Sequence, residues 1–351
     1  MRPRTKRTTM PWPCEPILSD MPIRLEPRGP FRLDLTVWAL RRQPGNRIDL
    51  WDGQTYRRCL VIGDSVLLVE VRQEGEDDAP RLAVRLQGAG SDRPGVCAAA
   101  AAQLVRILGL DVDLSGFYAR AARDPLLAPL ARRYRGLKPP RFPSLFEALA
   151  NAIACQQVSL AAGIALLGRL AQAFGAAPAQ APTLHAFAQP AALRAIDPAA
   201  LHALGWSRQK AQYLLDVAAR LDAGELPEAQ LEQAGDAELL RQLCTLRGIK
   251  RWSSQYVALR GMGRLGVFPV DDVGAHKHLT AWLDLPARLD AASTEALVSR
   301  WQPDAGLVYF HLLLRRLEAQ GQIRAGDVTS AAQPFEEPLA SSDSRNPEVM
   351  P

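Results

Sequence analysis

The sequence predicts a mainly α-helical protein with an α+β domain at its N-terminus. Residues 23–88 contain short runs rich in Val, Ile, Leu and Tyr, divided by Gly, Asp and Pro turn signals, a pattern typical of an antiparallel sheet. After residue 111 these strand-like runs end, and helical periodicity continues to about residue 320. The length of 351 residues, 48% of them hydrophobic, is sufficient for two domains with separate cores.

We predict a domain boundary near residue 112. The N-terminal domain covers residues 22–112 and ends with an Ala-rich helix that stops near Gly109, a residue type favoured at helix C-termini. The helical domain covers residues 113–324. Residues 1–21 and 325–351 show no periodicity, so we expect disordered tails there. The expected strands lie at residues 31–40, 47–53, 56–63, 65–71 and 81–86.

Composition permits a nucleic-acid partner and argues against several other classes. Lys and Arg outnumber Asp and Glu by 42 to 37, and the net charge of +5 allows a polyanionic partner without requiring one. The five cysteines are scattered singly, unlike the paired spacing of zinc or iron–sulfur ligands. No apolar run reaches transmembrane length, and the basic N-terminal run lacks the apolar core of a secretory signal. We expect a soluble, cytoplasmic protein that does not contact membranes.

Residues 238–283 contain the most informative pattern. A short helix is expected to end near Leu246, followed by a tight turn at residues 247–251 and a second helix from Trp252 toward Leu259. Two helices joined so tightly expose backbone N–H groups at the second N-terminus, where a phosphate oxygen can bind. Seven basic and two acidic residues lie between residues 240 and 280, so 7 minus 2 leaves a local charge of +5. The pattern predicts contact with a DNA backbone, without reading of base sequence.

The spacing of these residues gives a resemblance to a known family. The run from Leu246 to Ile249, with Asp272 placed 24 positions (272 minus 248) after Gly248, resembles the hairpin and following Pro/Asp segment of the helix-hairpin-helix (HhH-GPD) DNA glycosylase superfamily. Residues 146–159 and 203–221 are similar to two further segments of that family. The strand-rich N-terminal region resembles the extra domain of the 3-methyladenine DNA glycosylase II (AlkA) type. The resemblance covers most of residues 23–320.

This resemblance implies a helix-hairpin-helix glycosylase fold with an antiparallel-sheet accessory domain. It also implies a base-excision repair enzyme that flips alkylated purines, chiefly 3-methyladenine but also 7-methylguanine, out of duplex DNA and hydrolyses the N-glycosidic bond. The implied partner is double-stranded DNA containing damaged bases, bound by a monomer without a cofactor. No metal is required by the resemblance; an alkali ion on the backbone carbonyls of Leu246 and Ile249 would be a structural extra.

Asp272 is the candidate catalytic residue. Cleavage of the bond between base and deoxyribose passes through an oxocarbenium-like sugar, which one ionised carboxylate can stabilise. By resemblance, the second acid of the pair at residues 271 and 272 matches the catalytic Asp of the family. The alternative is that an acid of this pair merely caps the helix beginning near Val273, because Asp is a favoured N-cap residue.

The base pocket is expected to contain aromatic side chains. Trp252 and Tyr256 lie four residues apart, hence on one helix face, and by resemblance both match pocket positions, where we expect them to sandwich the base. An indole face attracts a cationic alkylated purine, although core packing is the alternative. Trp38 is a further pocket candidate. Trp301 matches the family pattern, whereas Asp304 stands where the AlkA type has an aromatic residue. We interpret Asp304 as a pocket residue that favours cationic bases.

Contact with DNA is expected at the hairpin and at one further loop. By resemblance, Gln157 matches the wedge position that fills the gap left by a flipped base; a solvent-facing polar residue is the alternative. Two positions depart from the family pattern, since Val273 replaces a pocket Tyr and Lys250 replaces a hairpin Gly. The hairpin candidates for DNA contact are Arg247, Gly248, Ile249, Lys250, Arg251 and Ser253.

Three alternatives remain open at this point. The first is an 8-oxoguanine-type or other glycosylase of the same superfamily; its bifunctional members carry a nucleophilic Lys just after the hairpin. This chain has Trp252 there, so we expect no AP-lyase activity. The second is a non-catalytic helix-hairpin-helix DNA-binding protein, which would retain the hairpin without using Asp272. The third is a helical scaffold without a DNA partner, which would leave the basic hairpin unexplained.

Overall fold

A computed structural model describes residues 23–324 of the chain. The predicted tails, residues 1–21 and 325–351, lie outside the described residues. Within residues 23–324, no helix is long and apolar enough to cross a membrane. This part of the chain combines a five-stranded sheet near its N-terminus with fourteen α-helices. The prediction of a mainly α fold with an N-terminal antiparallel sheet is therefore confirmed.

One antiparallel sheet contains the strands β1 Ile23–Leu25, β2 Leu50–Trp51, β3 Thr55–Ile62, β4 Ser65–Glu74 and β5 Arg81–Gln87. Their order across the sheet is β1-β5-β4-β3-β2. β3 and β4 form a hairpin in which Ile62 pairs with Ser65 across a two-residue turn. Gly63 in this turn has a φ of +56°, a conformation that Gly adopts without steric cost.

One expected strand is a helix. The segment 31–40 carries apolar residues at alternate positions, as a strand would, but it forms helix α1, Leu33–Arg41. Thr36 and Trp38 are buried together with the alternating residues, because α1 is enclosed on nearly every side. In a helix that is buried on all sides, apolar residues are not confined to one face. The sequence therefore does not show the helical period. The prediction of a strand at residues 31–40 was wrong for this reason.

The expected helix after the sheet forms as α2, Pro94–Leu108. Pro94 lies in the first turn, where a backbone N–H has no partner within the helix. The missing N–H of proline therefore costs no hydrogen bond. Gly109 ends the helix with a φ of +62°, and its N–H donates to the carbonyl of Val105. Ala100 of α2 is buried in the same core cluster as Val69 of β4. The sheet is therefore packed against α2.

Helices make up the remainder of the described chain. In α5, Leu145–Cys155, the apolar side chains of Phe146, Leu149 and Ile153 are buried. Ser144 caps this helix, since its Oγ accepts the N–H of Glu147 at 3.2 Å. The helices are α3 Ser115–Ala121, α4 Leu127–Arg133, α5 Leu145–Cys155, α6 Leu160–Phe174, α7 Pro198–Ala203, α8 Arg208–Asp222, α9 Glu228–Gln233, α10 Asp236–Leu243, α11 Arg251–Arg260, α12 Val273–Trp282, α13 Ala291–Val298 and α14 Ala305–Ala319.

A buried ion-pair network joins the sheet to α5. Arg58 of β3 donates from Nη1 to Asp49 at 2.6 Å and from Nη2 to Glu147 of α5 at 2.5 Å. The hydroxyl of Tyr56 also donates to Asp49, at 2.9 Å. All three charged side chains are 3% exposed or less, so the network is dry. It fixes the sheet relative to α5, whose C-terminal end leads into the loop that carries Gln157.

Candidate active site

The expected hairpin is formed by α10, a tight turn and α11. The amide of Ile249 donates to the carbonyl of Leu246 at 3.0 Å and closes the turn. Gly248 has a φ of +82°, and a Cβ atom at this position would lie 2.2 Å from the ring of Tyr213. Lys250 has an extended backbone with a φ of −117°, so Lys is accommodated without strain at this departure from the family pattern.

Replacing Gly248 tests the hairpin as a DNA-binding element. We expect Gly248→Ala to weaken binding of duplex DNA by about tenfold, because a Cβ in contact with Tyr213 displaces the amides that are expected to face a phosphate. Gly224→Ala is the matched control, since Gly224 also has a positive φ of +73° but has no heavy atom within 4 Å of the added Cβ. Fluorescence anisotropy with a labelled duplex measures both variants. Equal loss of affinity in the two variants would argue against the hairpin.

The hairpin candidates for DNA contact fall into two groups. Arg247, Lys250 and Arg251 have exposed side chains, which are accessible from solvent. Ile249 and Ser253 are each 2% exposed. Any contact that these two residues make with DNA is therefore limited to their backbone groups.

The carbonyls suggested for an alkali ion lie in the same turn. The oxygen of Leu246 accepts the amide of Ile249, and a carbonyl oxygen retains a second lone pair for another partner. Carbonyl oxygen is a donor type that suits a hard cation. Among residues 23–324, no group of three or more His, Cys, Asp or Glu side chains is placed to hold a metal ion. An ion on the Leu246 and Ile249 carbonyls stays a prediction.

The loop between α5 and α6 carries the wedge candidate. Gln157 is exposed and has a φ of +52°, which is uncommon for a residue with a side chain. The neighbouring Gln156 ties the loop to the hairpin, because its Nε2 donates to the Gly248 carbonyl at 2.8 Å and to Ser253 Oγ at 3.0 Å. The wedge candidate and the hairpin thus share one surface. An exposed side chain on a strained backbone that its neighbours hold in place is typical of functional loops.

Asp272 lies directly before α12 and has three hydrogen-bond donors around it. Oδ1 accepts the N–H of Ala275 at 2.8 Å, so the side chain caps the helix. Oδ2 accepts the indole N–H of Trp252 at 3.2 Å and the hydroxyl of Tyr309 at 3.0 Å. The residue as a whole is half-buried. The Asp272 carboxylate therefore caps α12 and also lies beside the tryptophan of α11.

The two aromatic residues of α11 are stacked on each other. The ring centroids of Trp252 and Tyr256 are 5.5 Å apart and the ring planes differ by 26°. This is the separation of a single aromatic contact, so no base fits between the rings. The expectation that these residues sandwich the base is wrong in that form. Tyr256 is only 3% exposed, whereas Trp252 is half-buried, which leaves the outer face of the indole for a base.

Arginines pack around the buried side of Tyr256. Arg42, at the end of α1, donates from Nη1 to the Tyr256 hydroxyl at 2.6 Å. The guanidinium carbon of Arg260 lies 5.9 Å from the centre of the same ring. Arg316 of α14 donates to the carbonyl of Arg42 at 3.1 Å. Burial raises the pKa of Tyr256, so its hydroxyl stays protonated at neutral pH. These contacts fix Tyr256 and, through it, the indole of Trp252.

Tyr309 is a site residue that sequence reasoning missed. It belongs to α14, and its ring lies edge-on to Phe268 with centroids 5.6 Å apart. Burial, followed by the nearby Asp272 carboxylate, raises the pKa of Tyr309 well above its ordinary value. The hydroxyl therefore remains a donor at neutral pH. Nothing local in the sequence indicates that α14 would pack beside α12 at this point.

Asp304 forms an ion pair, which differs from the role that we expected from the sequence. Its carboxylate forms a two-pronged ion pair with Arg120 of α3, with distances of 2.6 Å and 2.9 Å. Asp304 is 8% exposed, whereas the side chain of Arg120 is 50% exposed. A carboxylate neutralised in this way offers little net charge to a cationic base. The ion pair with Arg120 argues against the interpretation of Asp304 as a pocket residue that favours cationic bases.

The two other tryptophans expected in the pocket are core residues. The indole N–H of Trp301 donates to Asp124 at 3.0 Å, and the side chain is 4% exposed. Trp38 is 8% exposed, with the guanidinium carbon of Arg41 at 4.6 Å from its ring centre. Both rings belong to the apolar core that supports α14. We therefore withdraw Trp38 and Trp301 as pocket residues.

A surface groove with a volume of about 470 Å³ lies elsewhere on α11. Its lining contains Arg251, Ser254 and Glu295 but neither Asp272 nor Trp252. A base bound in this groove would be separated from the candidate catalytic carboxylate. The groove is therefore distinct from the surface formed by Trp252 and Asp272.

Comparison with known proteins identifies two regions of similarity. The model described as "HhH-GPD superfamily base excision DNA repair protein" matches residues 150–303. The model described as "AlkA N-terminal domain" matches residues 22–144. Together the two matches include the sheet, the Gln157 loop, the hairpin and Asp272.

Curated relatives agree with these matches. The DNA-3-methyladenine glycosylase of Bacillus subtilis (strain 168) is 32% identical over 166 residues, which cover 47% of this chain and 55% of that protein. DNA-3-methyladenine glycosylase 2 of Escherichia coli (strain K12) is 32% identical over 178 residues, which cover 50% of this chain and 60% of that protein. The matched region thus spans little more than half the length of these relatives.

A solved structure shares the fold. The 3-methyladenine DNA-glycosylase from Archaeoglobus fulgidus superposes with a TM-score of 0.72 at 22% identity, covering 86% of this chain and 100% of that chain. At this level of identity the likeness concerns the fold alone. Both family matches and the curated relatives lead to one assignment. Over residues 22–144 and 150–303 the chain is therefore similar to base-excision DNA repair proteins of the HhH-GPD superfamily and of the AlkA type.

Proposed function

We propose that this protein is a monofunctional DNA glycosylase that releases alkylated purines, chiefly 3-methyladenine and also 7-methylguanine, from duplex DNA. Two of its relatives are named as 3-methyladenine glycosylases, which supports this substrate class. The observation that carries the proposal is the position of Asp272. Its half-buried carboxylate stands at the start of α12 and is hydrogen-bonded to the tryptophan of the hairpin helix.

In the proposed reaction, Asp272 supplies a fixed negative charge. A purine methylated at N3 or N7 is cationic, so the electron pair of the glycosidic bond passes to the base, which leaves as a neutral molecule. The sugar becomes an oxocarbenium ion, which the ionised carboxylate stabilises. Water then forms a new C–O bond at the anomeric carbon and loses its proton to solvent.

The surrounding residues hold the substrate in this proposal. The flipped base stacks on the outer face of Trp252, where an indole attracts a cationic ring. Gln157 fills the gap that the base leaves in the duplex. The amides at the start of α11, with Arg247 and Lys250 beside them, hold backbone phosphates. We propose that a monomer binds double-stranded DNA in this way, without a cofactor.

Strand cleavage is not part of the proposed activity. A lyase reaction needs an amine that attacks the anomeric carbon. Among the described residues, the hydrogen-bond donors to Asp272 are an amide, an indole and a phenol, and none is an amine. Lys250 is exposed at the N-terminus of α11, two residues before Trp252. Lys250 has an extended backbone and precedes α11, and it is not among the donors to Asp272.

Incubation with methylated duplex DNA tests the proposed function. We expect chromatography of the released bases to show 3-methyladenine and 7-methylguanine above the spontaneous release seen without protein. The abasic strand should remain intact on a denaturing gel until alkali is added. Release no greater than the spontaneous level would contradict the glycosylase proposal, and strand breaks without alkali would contradict its monofunctional part.

A further inference from the structure

The two oxygens of the Asp272 carboxylate are not equivalent. Each carboxylate oxygen has two lone pairs that can accept hydrogen bonds. Oδ2 accepts from Trp252 at 3.2 Å and from Tyr309 at 3.0 Å, so both of its lone pairs are used. Oδ1 accepts only the amide of Ala275, at 2.8 Å, among the described residues. One lone pair of Oδ1 is therefore left for a ligand.

The two donors to Oδ2 come from different elements. Trp252 belongs to α11 and presents the face on which the base is expected to stack. Tyr309 belongs to α14, and its ring packs edge-on against Phe268, which lies in the segment leading to Asp272. The packing of the Tyr309 ring on Phe268 therefore fixes the direction of its hydroxyl independently of Trp252.

We propose that Tyr309 is a positioning residue for Asp272: its hydroxyl holds Oδ2 and thereby directs Oδ1 toward the anomeric carbon of the flipped nucleotide. The torsion at the end of an Asp side chain has a broad energy minimum, so the carboxylate plane needs such a restraint. Small errors in the placement of a catalytic group reduce rates strongly. This inference rests on the proposed glycosylase function.

The variant Tyr309→Phe in the full-length protein tests the inference. It removes the hydroxyl and keeps the ring that packs against Phe268. We expect the single-turnover rate of base release from methylated DNA to fall by about tenfold, because one hydrogen bond to a charged group is lost. The dissociation constant for the same DNA should be unchanged, since Tyr309 is not expected to hold the duplex.

Tyr134→Phe is the matched control. The hydroxyl of Tyr134 also donates to a carboxylate, that of Glu318, at 2.7 Å, and it lies outside the candidate site. We expect base release by this variant at the wild-type rate. Circular dichroism selects an assay temperature at which both variants are folded. A rate for Tyr309→Phe equal to that of Tyr134→Phe would overturn the inference.

A double-mutant cycle separates positioning from a direct role of Tyr309. If Tyr309 acts through the carboxylate, Tyr309→Phe should cause no further loss in an Asp272→Asn background. The same tenfold loss in both backgrounds would mean that Tyr309 acts on the base or sugar directly, and the inference would fall. Failure of the proposed function gives a different result, because wild-type protein would then release no methylated base.

Discussion

Asp272→Asn is expected to lower the single-turnover rate of base release by about a thousandfold. Two opposite unit charges 4 Å apart attract by about 4 kcal/mol at an effective dielectric constant of 20. This energy corresponds to roughly a thousandfold change in rate if it is present in the transition state and lost in the variant. Asn keeps the size of the side chain and removes the charge, and it replaces one acceptor oxygen by an NH2 group.

The fold should survive this substitution. Asp272 caps α12 through its Oδ1, and Asn is as good an N-cap residue as Asp. Asp290→Asn is the matched control, because Asp290 caps α13 by accepting the N–H of Ser293 at 2.8 Å. Quenched-flow or manual single-turnover assays on methylated duplex DNA measure both variants. A rate for Asp272→Asn within a few-fold of that for Asp290→Asn would argue that the carboxylate only caps a helix.

Arg58→Met is expected to reduce the free energy of unfolding by about 3–5 kcal/mol. The side chain of Arg58 is 1% exposed and is paired with Asp49 and Glu147, which are each 3% exposed. Removal of the guanidinium leaves two buried carboxylates without their cation, although Met fills much of the same volume. Because the network joins β3 to α5, the loss should affect the protein as a whole.

Urea denaturation followed by circular dichroism measures this effect. Arg57→Met is the matched control on the same strand, since Arg57 pairs with Asp52 at 2.5 Å and with Glu70 at 2.7 Å but is 29% exposed. Ion pairs near the surface contribute about 0–1 kcal/mol, so the control should lose much less stability than Arg58→Met. A loss in Arg58→Met no larger than that in Arg57→Met would show that the buried network does not stabilise the junction.

The parts of the site that lie close together in sequence could be predicted from it. Gly248, Trp252 and Asp272 fall within one segment of the chain, and the spacing of the hairpin and the following acid indicated their association. The helical course of that segment follows from local signals such as the glycine turn and the N-cap acid. The sheet was also predictable, because β3 and β4 are separated by a two-residue turn with Gly63.

The parts that depend on distant packing could not be predicted. Tyr309 reaches Asp272 from 37 residues away, and Arg120 reaches Asp304 from 184 residues away. Neither contact has a periodic or motif signal in the sequence. Arg42 likewise contacts Tyr256, which lies 214 residues away in the sequence. Arg42 ends α1, a helix that is buried on nearly every side and therefore shows no helical pattern in the sequence. The charges and hydroxyls that complete the site are therefore supplied by tertiary structure.

Binding of two uncleavable duplexes tests the role of Asp272 most directly. One duplex carries a pyrrolidine in place of the damaged nucleotide, and the other carries a tetrahydrofuran. The pyrrolidine nitrogen is protonated at neutral pH and imitates the oxocarbenium charge, whereas the tetrahydrofuran is neutral. We predict that wild-type protein binds the pyrrolidine duplex about 100-fold more tightly and that Asp272→Asn binds the two duplexes equally. Equal affinity of the wild-type protein for both duplexes would contradict an electrostatic role for Asp272.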